Sequence, residues 1–84
     1  MERLIKNLTE KILRAHNKGY TDLRTWTKED ILRWLFAPSV GGKTIFAHAC
    51  DEVGIEIDEA LQYVPGIYAY LWDFVVGGYT KEDR

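Results

Sequence analysis

Apolar residues recur at helical spacing from the start of the chain. Ile5, Leu8, Ile12 and Ala15 mark one stripe, widened by Leu4 and Leu13, and predict an amphipathic helix over residues 2–17. Glu2–Lys6 and Glu10–Arg14 are favourable pairs four apart on its polar side. His16 near its end suits the helix dipole when protonated, and Gly19 suits the left-handed residue that closes a helix. Residues 20–25 lose the period, and Tyr20, Leu23 and Trp26 are expected to anchor this connector to the core. From Trp26 to Phe36 several helix-start signals coincide. Thr27 is an N-cap with Asp30 at the capping-box position, and Trp26 and Ile31 have the spacing of a hydrophobic staple. Ile31, Leu32, Trp34, Leu35 and Phe36 make this helix, 28–36, apolar around most of its surface, which places it in the middle of a small core.

Pro38 stops that helix, because the residue before a proline avoids helical geometry. Ser39-Val40-Gly41-Gly42 reads as a turn, and a third helix is expected over 43–53, with Phe46, Ala49, Cys50 and Val53 inward and Gly54 closing it. Asp58 is a credible N-cap for a fourth helix, 58–64. Pro65 either breaks that helix or opens the last one, 66–76. The aromatic and β-branched content of 67–76 also suits a strand. A helix is expected, because no other stretch offers a partner strand. Gly77-Gly78 ends it, and 79–84 is a polar tail. The whole chain, 1–84, thus reads as a single all-α domain, a compact bundle of four to five short helices.

Composition agrees with a globular chain of 84 residues, 46% hydrophobic and 29% charged. At this length folding buries roughly 60% of the unfolded chain's surface, so stability depends on good packing or a partner. The single Cys excludes an internal disulfide and a Cys-cluster metal site. No apolar run reaches membrane-spanning length and no signal peptide is evident, so a cytoplasmic, soluble protein is expected. Net charge is −2, but residues 1–43 carry nine Lys/Arg against five Asp/Glu, while residues 44–84 carry two against eight. A basic first half and an acidic second half suit recognition of an oppositely charged surface, another copy included.

Three chemical patterns point away from chemistry. Residues 37–44 fit the permissive phosphate-loop spacing with Ala37 for the first glycine, but a helix is expected where that loop needs a preceding strand. His48 and Cys50 lie two apart, on different faces of a helix, whereas metal ligands sharing a helix are spaced three or four. Residues 46–63 have the small-residue packing of a helix-turn-helix, yet the reading helix would begin Glu56-Ile57-Asp58-Glu59 and repel phosphate. No enzyme activity, cofactor or metal is expected, nucleic acid is an unlikely partner, and no small-molecule substrate is called for. A helix-turn-helix-like DNA-binding regulator is the alternative reading.

The last helix carries the partner signal. Tyr68, Tyr70, Leu71, Trp72, Phe74 and Val75 cover nearly its whole circumference, and Tyr and Trp are enriched where proteins meet. At least one of Tyr68, Tyr70 and Trp72 should therefore be exposed. With Glu56 and Glu59 of the acidic half, these are the candidate protein-interaction residues. Trp26-Thr27-Lys28-Glu29-Asp30-Ile31-Leu32-Arg33-Trp34-Leu35 resembles the opening of sterile alpha motif (SAM) domains, and Glu56-Ile57-Asp58-Glu59-Ala60-Leu61 looks like the segment that opens their third helix. The helix over 2–17 precedes that pattern, and the family's usual fourth helix has no counterpart. The resemblance implies a helical interaction module, often self-associating through oppositely charged surfaces. The sequence thus points to a non-enzymatic protein-protein interaction module: an adaptor, regulator or small inhibitor, a class that includes phage and other mobile-element proteins.

Overall fold

A computed structural model describes residues 2–78, and among them the chain is all-α. Its five α-helices are α1 (Glu2–Asn17), α2 (Lys28–Leu35), α3 (Ile45–Val53), α4 (Ile57–Leu61) and α5 (Val64–Asp73). Short 3-10 turns precede α2 and α3, and α5 runs on into a π-helical turn over Phe74–Gly78. The segment 67–76 is therefore helical, and the expected polar tail 79–84 lies outside the described residues.

Each helix is set by local chemistry. At α1 the amide of Tyr20 reaches the Ala15 carbonyl at 3.0 Å while Gly19 adopts φ 82°, which satisfies the last carbonyls. At α2 the capping box is complete: Thr27 Oγ1 accepts from the Asp30 amide at 3.4 Å, and Asp30 Oδ2 accepts from the Thr27 amide at 2.8 Å. Thr44 Oγ1 caps α3 by accepting from the Ala47 amide at 3.1 Å, and Gly54 ends it at φ 76°. The third helix thus starts at Ile45, not at Lys43.

The core is one cluster drawn from every helix. Leu4, Leu8 and Ile12 of α1 meet Ile31 and Leu35 of α2, Phe46, Ala49 and Cys50 of α3, Ala60 of α4, and Ile67, Leu71 and Val75 at the end of the chain. Several expectations are corrected here. The centre of the α1 stripe is Leu4–Leu8–Ile12, while Ile5, Leu13 and Ala15 lie at its margins. Tyr20 is 78% exposed and anchors nothing, leaving Leu23 to hold the connector. The Leu23 amide donates to His16 Nδ1 at 3.3 Å, tying the end of α1 to the connector. The α2 helix is not central: Leu32 and Phe36 are exposed, and Trp34 is half-buried beside Trp26, ring centres 6.3 Å apart. The fourth helix covers 57–61, with Asp58 in its first turn and Glu56 as an N-cap that makes no side-chain cap bond. Val64 belongs to α5, which Pro65 opens from within the first turn.

Candidate interaction surface

The short α4 and the opening of α5 form one bent corner. The Tyr63 amide donates to the Ala60 carbonyl and the Ile67 amide donates to the Tyr63 carbonyl, both at 2.9 Å, so Tyr63 is the joint between the helices. Pro65 is at home in that first turn, where an N–H would have no helical partner. The core face of α5 is Ile67, Leu71 and Val75 at four-residue steps. Tyr68 and Trp72 follow Ile67 and Leu71 by one position and are half-buried against the core. Tyr70 points away and is 53% exposed.

Beside Tyr70 lies a groove of about 350 Å³, walled by Ile5 of α1 and by Gln62, Tyr63, Pro65, Ile67 and Tyr70. It shares Ile5 and Tyr70 with a second depression along α1, where Glu2, Lys6 and Thr9 join them. Gly66 also lines the groove, and a side chain added there would meet nothing within 4 Å. Ile57 and Leu61 of α4 and Tyr63 beside it are also exposed; Tyr63 walls this groove and Ile57 walls the depression towards α3.

The charges sort into used and unused. On α3, Glu52 pairs with Lys11 at 2.6 Å and Asp51 pairs with Lys43. The Lys11 and Lys43 hydrogen bonds hold these two carboxyls below their usual range. Asp22 and Asp30 are likewise paired, with Arg24 and Arg33. By contrast Glu56, Asp58 and Glu59 on and beside α4 are exposed and make no ion pair among the described residues. Gln62 and Tyr63, not Asp58 or Glu59, wall the groove on the α4 side. Glu56 lines a different depression with Lys43, Asp51 and Ile57, towards α3. The structure therefore sets Tyr70 on the groove and Glu56 on another depression, leaves Glu59 exposed on α4 outside the groove lining, and keeps Tyr68 and Trp72 mostly packed. Ile5, Tyr63 and Pro65 were missed by sequence reasoning, although a tyrosine two residues before a helix-opening proline was a usable signal.

The remaining candidate patterns resolve locally. Residues 37–44 form a loop pinned by the Ser39 amide on the Lys43 carbonyl at 2.7 Å, and α2 precedes it. His48 Nε2 donates to the Val40 carbonyl at 2.5 Å, while Cys50 is buried at 1% exposure on the other side of α3. No group of three or more His, Cys, Asp or Glu is placed to hold a metal among the described residues. None of the helices there is long and apolar enough to cross a membrane. Comparison with protein-family models, curated proteins and solved structures returned no match.

Proposed function

We propose that this chain is a non-enzymatic protein-interaction module, an adaptor, regulator or small inhibitor, that binds its partner through the surface joining α4, the start of α5 and α1. The observation that carries the reading is the groove beside Tyr70. Apolar side chains left exposed together around a groove mark contact sites, and Tyr63 and Tyr70, which wall the groove, are exposed by 48% and 53%. The sterile alpha motif resemblance of residues 26–35 and 56–61 points to the same class. Self-association is one form of this proposal, with the acidic α4 of one copy meeting the basic surface of another. The DNA-binding alternative would need α4 to approach phosphate. Its five residues carry Asp58 and Glu59 outward, which opposes that approach.

The test is affinity capture from the native host with wild-type and Tyr70→Ala proteins side by side, together with sedimentation over a concentration series. A partner retained by wild type and lost by Tyr70→Ala is expected. Loss of about 2 kcal/mol or more is the size of an interface hot spot. A partner held equally by Tyr70→Ala and Tyr63→Ala would remove this surface from consideration.

A further inference from the structure

We draw no further inference here: the strongest candidate, the apolar groove between α1 and the start of α5 beside Tyr70, belongs to the surface already described, and nothing in the structure shows what covers it.

Discussion

Tyr70 and Leu71 are adjacent in sequence and opposite in role, and replacing each with Ala separates surface from core on a single helix. Leu71 is fully buried. Truncation removes three carbon groups, worth about 2.4 kcal/mol at ~0.8 kcal/mol each. The unfilled cavity raises the cost to roughly 3–5 kcal/mol. A domain of this length has roughly 4–13 kcal/mol in total, so Leu71→Ala removes a large fraction of it. With a urea dependence of about 1 kcal/mol per molar, the midpoint should fall by roughly 3–5 M. Tyr70 is 53% exposed. Its partial burial is offset by the better helix propensity of Ala, about 0.5 kcal/mol, and the net loss should stay below about 1 kcal/mol. The assay is urea unfolding followed by far-ultraviolet circular dichroism at equal slopes. Ile67→Val, at about 1 kcal/mol, keeps the comparison measurable where Leu71→Ala leaves too little folded protein. If Tyr70→Ala costs as much stability as Leu71→Ala, Tyr70 is a core residue and the groove reading collapses with it.

Thr27→Ala should cost about 1 kcal/mol in the same melts through loss of the α2 cap. A larger loss than Leu71→Ala would show that the core is misplaced. Asp30 is held below the usual carboxylate range, chiefly by the Thr27 amide and, after the opposing effect of desolvation, by the Thr27 hydroxyl and Arg33. Because its folded value is depressed, its contribution is complete above the unfolded value of about 3.9 and is lost as pH falls through the folded value. Acid titration of Asp30→Asn should accordingly show a shallower decline in stability below that point than wild type. Gly54→Ala should destabilise by about 1–2 kcal/mol although the new methyl meets no atom within 4 Å, because φ 76° is a left-handed conformation that side chains resist. A neutral Gly54→Ala would mean the turn adopts another backbone geometry.

What was legible in the sequence was local. The Thr27–Asp30 capping box, the Gly19 and Gly54 terminators and the all-helical class each depend on residues within one or two turns. The errors arose where the answer depends on another helix. The α1 stripe could be centred on Ile5 or Leu4 by spacing alone, and only packing selects Leu4–Leu8–Ile12. An α2 apolar around most of its surface suggested burial, but a bundle this small leaves Leu32 and Phe36 on its outside. Tyr70 was named among three aromatics whose exposure the sequence could not rank. The groove itself joins Ile5 to residues near 65, a juxtaposition that no window along the chain contains.

Cys50 gives the molecule a clock. It is the only thiol in the chain and is 1% exposed, against the Phe46 and Ala49 core of α3. Burial, then the neighbouring Asp51 charge, pushes its thiol up from the ordinary value, so little nucleophilic thiolate forms while the fold is closed. Reaction with an added disulfide reagent therefore waits for an opening that exposes the thiol, and its rate counts such openings. Occupation of the distant groove beside Tyr70 would be readable in the same signal: a ligand that binds only the closed fold would slow the thiol by the factor by which it populates that fold.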